Sequence, residues 1–431
     1  MSVAEHPAAV VRPRRTPVPL VVQQHVDEAV QLRRVRSVLV RAAHVRLPRL
    51  ARLDERIAAH LDGIGVAGAL GAALCLQVLE RPGVAEFFAV TVRAIEDRDT
   101  ERLSRLLAAA AALPDGRAGL LSAFGWVEAA ALRGLVQPLL DAHDPWWREV
   151  GLVACDQHGV DPGDTLADAL TDDDAGLRQR ALRMVGRRGR MDLRSACIAA
   201  MGDANASCAF EAARAALLTG DRGASMAVLE AMATGGGLRA QEALSIVLKI
   251  APLERGLAML AGFAKDRAHA RTLVRGAGEL GDPHGIAWLI EQMHDPKLAR
   301  LAGESFSLVT GLDLAFLDLE CDGPDGLVTG PDDDPDNPDV AMDEDDSLPW
   351  PDPGKIGAWW QVNGHRFPAG RRFFMGEPPG EGHCLRVVRE GSQRQRAAAS
   401  LHLSLMKPGT PLFPTAAPAW RQQRWLDGMG A

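Results

Sequence analysis

The sequence predicts an all-α protein whose short helices stack as a right-handed helical-repeat solenoid, with about 30 residues per repeat. Three observations predict this fold class. The 431 residues are rich in Ala and Leu, which favour helix, and include no Tyr. Few segments alternate apolar and polar residues as a β-strand does. Helix-start signals recur along the chain at a nearly constant interval.

The clearest copy of the repeating pattern is Gly276–Leu312, which has the pattern of three helices separated by two turns. Asp282-Pro283 and Asp295-Pro296 mark the turns. In each pair the Asp can cap the next helix, and the Pro suits the first helical position, where a missing N–H costs nothing. Helices this short need near-copies stacked beside them to bury their apolar faces.

Upstream copies align on their helix-start residues. Asp174 follows Asp144 by 30 residues, and Asn205 follows Asp174 by 31. An apolar residue stands three positions after each start, and a small residue seven or eight positions after it. This pattern predicts a helix start, a core contact and a point of close helix packing. Leu238-Arg239 and Asp295 continue the register.

The expected organisation has four parts. The C-terminal part is assigned to the array because the four residues from Arg394 repeat those from Arg178 letter for letter. The acidic part is assigned because Glu320 to Asp346 hold twelve Asp or Glu and no Lys or Arg, a composition that cannot bury a core. The parts are a disordered tail at 1–20, the solenoid at 21–319, an acidic flexible insert at 320–350 and a helical cap continuing the solenoid at 351–431.

Charge is divided unevenly along the chain. The whole chain carries −8 and the twelve acids of the insert contribute −12, so the remaining residues carry +4. One hypothesis is that the insert folds back over an arginine patch or groove until a partner arrives. Deleting residues 330–346 should then raise partner affinity and steepen its salt sensitivity. Asp332, Asp334 and Asp336 alternate as in a calcium loop, but Asn337 stands where that loop needs Gly, so a solvated linker is the preferred interpretation.

One N-terminal helix is predicted at Leu50–Ile64. Its apolar residues recur at three- and four-residue steps and are expected to be buried. The intervening Asp54, Glu55 and Arg56 are expected to lie on a solvated face.

The turn pattern at 279–306, ELGDPHGIAWLIEQMHDPKLARLAGESF, resembles the short HEAT-like repeats of the phycobilin-lyase type. The wider chain is similar to a family of uncharacterised bacterial HEAT-like proteins often encoded beside type VI secretion clusters. The resemblance implies a helical solenoid that binds another protein, and it brings no catalytic residues with it. The stretches that carry it are LARLDERIAAHLDGI at 50–64, LPWPDPGKIGAWW at 348–360, RFPAGRRFFMG at 366–376 and EGSQRQRAAASLHL at 390–403.

The sequence contains no enzyme signature of the zinc-protease, P-loop, serine-hydrolase or dinucleotide-binding type. The six Cys include no CxxC pair, so we expect buried, reduced thiols. His60 has no second His at i+4 and is not expected to bind a metal. No catalytic residue, cofactor or metal ligand is therefore assigned.

Eight residues are candidate partner contacts. Arg180, Arg183 and Arg187 share a helix face near Arg178, and this cluster suits either an acidic partner or a solubilising face with a charged turn. Paired Trp occur both at interface hot spots and as ridges between packed helices. The candidates are Arg178, Arg180, Arg183, Arg187, Trp146, Trp147, Trp359 and Trp360.

The preferred function is a non-catalytic scaffold or adaptor that binds another protein, and the resemblance makes a type VI secretion component the expected partner. The alternative is a lyase or chaperone acting on a chromophore or modified polypeptide, which would need an acid/base pair in the groove. Nucleic-acid binding is disfavoured because the chain is acidic overall and no aromatic residues interleave with the basic cluster. The sequence has no signal peptide and no apolar run of membrane-spanning length, so we expect a cytoplasmic protein.

Overall fold

The computed structural model describes residues 16–324 and 343–429, and within these ranges the chain forms helices and no β-strand. The predicted all-α class is confirmed. Most of the predicted tail, and residues 325–342 of the predicted insert with its calcium-like Asp pattern, lie outside the described residues. The α-helices are α1 (Pro19–Leu39), α2 (Leu47–Val66), α3 (Gly68–Gln77), α4 (Val84–Glu96), α5 (Thr100–Ala111), α6 (Pro114–Trp126), α7 (Val136–Leu140), α8 (Pro145–His158), α9 (Asp164–Ala169), α10 (Ala175–Arg188), α11 (Arg194–Ala199), α12 (Ala206–Leu218), α13 (Ala224–Gly235), α14 (Ala240–Ile250), α15 (Leu253–Phe263), α16 (Ala270–Leu280), α17 (Ile286–Gln292), α18 (Ala299–Thr310), α19 (Pro353–Asn363), α20 (Glu381–Glu390), α21 (Gln393–Met406) and α22 (Ala419–Gly428).

Short 3₁₀ helices join several of these elements at turns too tight for a full α-helical turn. They are Val78–Glu80, Ala129–Leu132, Met191–Leu193, Ala200–Gly202, Arg267–His269, Pro283–Gly285 and Gly364–Arg366.

The chain divides into two units. Unit 1 is drawn from residues 16–36 and 53–132, and unit 2 from residues 37–52, 133–324 and 343–429.

The centre of unit 1 is helix α4, which is buried from Ala85 to Ile95 against α3, α5 and α6. The predicted helix at Leu50–Ile64 forms within α2. The expectation that Asp54 faces solvent is wrong, because Asp54 is fully buried and accepts hydrogen bonds from Arg36. Glu55 and Arg56 are exposed, as expected.

In unit 2 the predicted helix starts at Asp144, Asp174 and Asn205 are confirmed, whereas Asp282 caps the 3₁₀ helix Pro283–Gly285 and Asp295 lies four residues before α18 begins. Asp144 accepts from the Trp146 amide at 2.8 Å, Asp174 from Leu177 at 2.9 Å and Asn205 from Ser207 at 2.9 Å. Each side chain thereby satisfies a backbone N–H that has no partner inside its helix. Successive helices then pack on one another, α8 on α10, α10 on α12, α14 on α16 and α16 on α18.

The C-terminal residues of unit 2 satisfy the ends of these helices. The last carbonyl groups of an α-helix have no partner within it. Arg372 donates to the carbonyl oxygens of Lys249 at 2.8 Å and Leu280 at 2.9 Å, at the ends of α14 and α16. The amide of Met375 donates to the Leu308 carbonyl oxygen of α18 at 2.6 Å. One short segment therefore donates hydrogen bonds to carbonyl oxygens in the last turns of three helices.

A second C-terminal segment does the same for two earlier helices, and α22 contacts a third. The Gly409 amide donates to the Leu218 carbonyl of α12 at 3.0 Å, and the Leu412 amide to the Arg187 carbonyl of α10 at 2.8 Å. Arg421 donates to the Gln157 carbonyl in α8 at 3.3 Å. We call residues 372–376 and 409–412 the crossing segments. The predicted cap thus contacts helices along unit 2 from α8 to α18.

Of the six cysteines, five are buried as expected, and Cys321 is exposed. Burial raises the pKa of the thiols of Cys75 and Cys197 to about 12, so these side chains act as small apolar groups in the core.

Within the described ranges no single helix is long and apolar enough to cross a membrane. Leu47–Val66 and Gly68–Glu80 meet that criterion only as a pair bent by 119°.

Candidate functional site

Six helices of unit 2 carry charged side chains, and on five of them these side chains recur at steps of three, four or seven residues, which places them on one face of the helix. Charges of opposite sign pair between α8 and α10, between α10 and α12, and between α14 and α16. We call the set the charged stripe. It comprises Glu149 and Asp156 on α8, Arg180, Arg183 and Arg187 on α10, Glu211 and Arg214 on α12, Lys249 on α14, Arg271, Arg275 and Glu279 on α16, and Arg300 and Glu304 on α18.

Three of the predicted contact arginines belong to the stripe and pair with acids on adjacent helices. Arg180 lies 3.0 Å from Glu149, and Arg183 lies 2.7 Å from Glu211. Arg187 lies 3.0 Å from Asp156, and its burial lowers the pKa of its guanidinium. These pairs tie α10 to α8 on one side and to α12 on the other. Their role in partner binding stays a prediction.

The fourth predicted arginine, Arg178, lies in a different setting. Its guanidinium donates to both carboxylate oxygens of Asp203, at 2.8 and 3.0 Å, and to the Asp172 carbonyl at 2.7 Å. The hydrogen bond raises the pKa of Arg178 and lowers that of Asp203. Arg148 contacts Asp172 at 2.8 Å one repeat earlier. Arg178 therefore links the turns of neighbouring repeats.

Farther along the stripe, α14 and α16 are joined by a three-residue polar contact. Lys249 Nζ donates to Ser245 Oγ at 2.8 Å, and Ser245 Oγ donates to Glu279 Oε1 at 2.6 Å. Lys249 also lies 3.3 Å from Glu279. The arrangement is that of an ion pair between helices.

At α16 and α18 the stripe contacts an acidic stretch of the same chain. We call Arg271, Arg275 and Arg300 the arginine site, and Asp343–Asp345 the acidic segment. Arg271 binds both carboxylate oxygens of Asp345, at 2.8 and 3.0 Å, and Arg275 lies 3.6 Å from Glu344. Arg300 pairs with Asp343. The described residues of the acidic stretch thus contact arginines at this site, and the hypothesis that the insert occupies an arginine patch or groove until a partner arrives stays a prediction.

The arginine site was not predicted from the sequence, although the spacing of two of its arginines indicated a shared helix face. Arg271 and Arg275 are four residues apart, so they share a helix face as Arg183 and Arg187 do. Aligning the repeats by their helix starts would have placed both pairs on the same stripe. Among the described residues of the predicted insert, the acidic run and Trp350 contact these helices.

The four predicted tryptophans pack within unit 2. Trp146 is buried and Trp147 half-buried on α8. Trp359 and Trp360 on α19 are half-buried, and their rings lie 6.2 and 6.5 Å from that of Phe306 on α18. These contacts are those of residues between packed helices. A role for the tryptophans in partner contact stays a prediction.

In unit 1, His60 has a histidine partner that its own helix does not supply. The Nδ1 atoms of His25, on α1, and His60, on α2, lie 3.0 Å apart. Burial first, and the facing His25 second, lower the pKa of His60. Across the described parts of both units, no three His, Cys, Asp or Glu side chains form a group that could hold a metal ion.

The fold and the site define an all-α protein whose repeat helices carry an internally paired charged face. Comparison with known protein families, with curated proteins and with solved structures found no match for this chain.

Proposed function

We propose that this protein is a non-catalytic scaffold or adaptor that binds another protein on the charged stripe. One observation carries the proposal. The stripe holds consecutive acidic side chains of a polypeptide, those of the acidic segment, through three arginines on two helices. A surface that holds one acidic turn in this way has the chemistry to hold another acidic polypeptide.

We also propose that α8–α18 form a HEAT-like solenoid. The helix starts recur at intervals of 30 and 31 residues, and helices that follow these starts pack on one another in order. Solenoids of this kind bind ligands along an extended face formed by equivalent positions of successive repeats. The charged stripe occupies such equivalent positions. The resemblance noted in the sequence makes a type VI secretion component the first partner to test.

The test exchanges charges within pairs so that each internal ion pair is retained. Glu149→Arg with Arg180→Glu, combined with Arg183→Glu, Glu211→Arg and Arg214→Glu, reverses these charges between α8 and α12, because Glu211 pairs with both Arg183 and Arg214. The control, Asp161→Arg, Arg190→Asp and Asp192→Arg together, exchanges a group of ion pairs outside the stripe. Tagged full-length proteins are used to capture partners from the native host, and the captured protein is identified and purified. Binding is then measured by calorimetry.

The proposal expects a single purified partner that binds the wild type and the control equally and the stripe variant at least about 10-fold more weakly, a loss of about 1.4 kcal/mol. Equal binding by all three proteins would show that the partner docks elsewhere. A captured small molecule or chromophore that the protein converts chemically would overturn the non-catalytic assignment.

A further inference from the structure

We propose that the arginine site recognises an acidic peptide segment of the partner, and that the acidic segment of this chain occupies the site in its place. This inference rests on the proposed protein-binding function and adds the chemistry of the partner. In this proposal the acidic segment competes with the partner's peptide for the arginines of α16 and α18.

The contacts have the geometry of peptide recognition. Arg271 holds Asp345 through two parallel hydrogen bonds at 2.8 and 3.0 Å, the arrangement in which a guanidinium best recognises a carboxylate. The guanidinium of Arg300 lies 4.7 Å from the ring centroid of Trp350, seven residues after Asp343. The site therefore binds both carboxylates and an aromatic ring on one short stretch of chain.

Part of this contact is open to water. The side chains of Arg271 and Glu344 are 39% and 73% exposed. Ion pairs in such positions are weak individually and are screened by salt. Asp345 and Arg300 are less exposed, at 7% and 8%, so an acidic peptide first gains access to the arginines at the open Glu344 contact.

The base of the acidic stretch is held separately from its tip. The Cys321 amide donates to the Trp350 carbonyl at 2.9 Å, and the Asp352 amide donates to the Leu319 carbonyl at 2.9 Å. These bonds lie on either side of the antiparallel bridge between Glu320 and Pro351. Because these backbone bonds involve no arginine, Asp343–Asp345 can leave the arginine site while the base stays closed with the Trp350 ring on Arg300.

A peptide suits the site better than a nucleic acid. Glu279 and Glu304 lie on the same two helices as the arginine site. A phosphate backbone carries a charge on every nucleotide and would be repelled by these carboxylates, whereas a short peptide places its few acids only where arginines stand.

The experiment uses the full-length protein and a fluorescein-labelled peptide with the sequence of residues 343–352, DEDDSLPWPD. The competing side chains are neutralised by Asp343→Asn, Glu344→Gln and Asp345→Asn together. The matched control, Asp318→Asn, Asp322→Asn and Asp346→Asn, removes the same charge nearby without touching the arginine site. Fluorescence anisotropy measures the affinity of each protein for the peptide at low and high salt, and circular dichroism confirms helicity.

We expect the neutralised variant to bind the peptide about 10-fold more tightly than the wild type and the control do, because three ion pairs no longer compete. Adding Arg271→Ala to it should abolish this gain. The single variant Asp345→Asn, which removes only the bidentate pair, should shift affinity in the same direction by about 3-fold. That variant provides a second test should the triple variant fold poorly.

Equal peptide affinity in the wild type, the neutralised variant and Asp345→Asn overturns the inference. So does a gain for a single-stranded oligonucleotide that equals or exceeds the gain for the peptide. Either result leaves the proposed scaffold function standing, because partner binding through α8–α12 is tested by the charge-exchange variants.

Discussion

Arg36 donates to both oxygens of Asp54, at 2.6 and 3.2 Å, and both side chains are buried in unit 1. Removing one partner of a buried ion pair strands the other charge in a medium that solvates it poorly. We therefore expect Asp54→Ala to lower the free energy of unfolding by about 3–5 kcal/mol.

Urea unfolding of the full-length protein, followed by circular dichroism, measures this loss. Glu55→Ala is the control, because Glu55 is exposed on the same helix and should change stability by less than about 0.5 kcal/mol. Similar values for the two variants would mean that the Arg36–Asp54 pair contributes little.

The second prediction concerns Gly281, which ends α16 in the left-handed region with φ of 71°. A Cβ atom there would lie 2.1 Å from the Phe373 carbonyl oxygen of the crossing segment. Gly281→Ala should therefore cost more than the usual 1–2 kcal/mol or so of a left-handed alanine, by forcing that segment away from the helix ends.

Gly159 offers a matched control, since it ends α8 with a similar φ of 75° but faces only the flexible tip of Arg188. The difference in melting temperature between Gly281→Ala and Gly159→Ala isolates the close approach from the backbone strain. Equal melting temperatures for the two variants would show that the close approach of Phe373 to Gly281 adds no cost to the substitution.

What could be predicted from the sequence was local. Asp144, Asp174 and Asn205 cap helices because a side chain reaches an amide two or three residues away, and that rule needs no tertiary information. The crossing segments were not predictable in this way. Arg372 reaches the carbonyl of Lys249, which is 123 residues earlier, and nothing in the basic stretch around Arg372 indicates which helix end it satisfies.

The identical letters at Arg178 and Arg394 show the limit of pattern matching. Arg178 stands four residues after the helix start at Asp174, whereas Arg394 stands two residues after Ser392. Accordingly Arg180 is half-buried and pairs with Glu149. Arg396, its counterpart by letters, is fully buried, and burial lowers its pKa to about 10. Identical residues at different positions relative to the helix start therefore lie in different environments.

The third prediction tests Arg178 as a link between repeats. Arg178→Ala removes two hydrogen bonds to Asp203 and one each to the Asp172 and Asp173 carbonyls, and should lower the free energy of unfolding by about 1–3 kcal/mol. Arg188→Ala is a suitable control, since Arg188 donates one exposed hydrogen bond, to the Gly159 carbonyl. If Arg178 serves only partner binding, its variant will unfold with the control.

The last prediction is a pH dependence that arises at His402. This side chain is buried in unit 2 beside the Phe374 ring, with Lys249, Arg372 and His383 facing it. Burial first, and these cationic or titratable neighbours second, lower the pKa of His402 from 6.5 to about 3. The folded protein therefore keeps His402 neutral where the unfolded chain already binds a proton.

Stability must then fall as the pH drops below 6.5, the unfolded value, and keep falling until the pH nears 3. At pH 5 this one group lowers the free energy of unfolding by about 2 kcal/mol. Asn at position 402 cannot titrate, so the wild type should lose about 2 kcal/mol more than His402→Asn between pH 7 and pH 5. Urea unfolding at the two pH values measures the difference, and His365→Asn, at an exposed position, serves as control. An equal pH dependence of His402→Asn and the wild type would show that the imidazole reaches water or gains an acceptor when it is protonated.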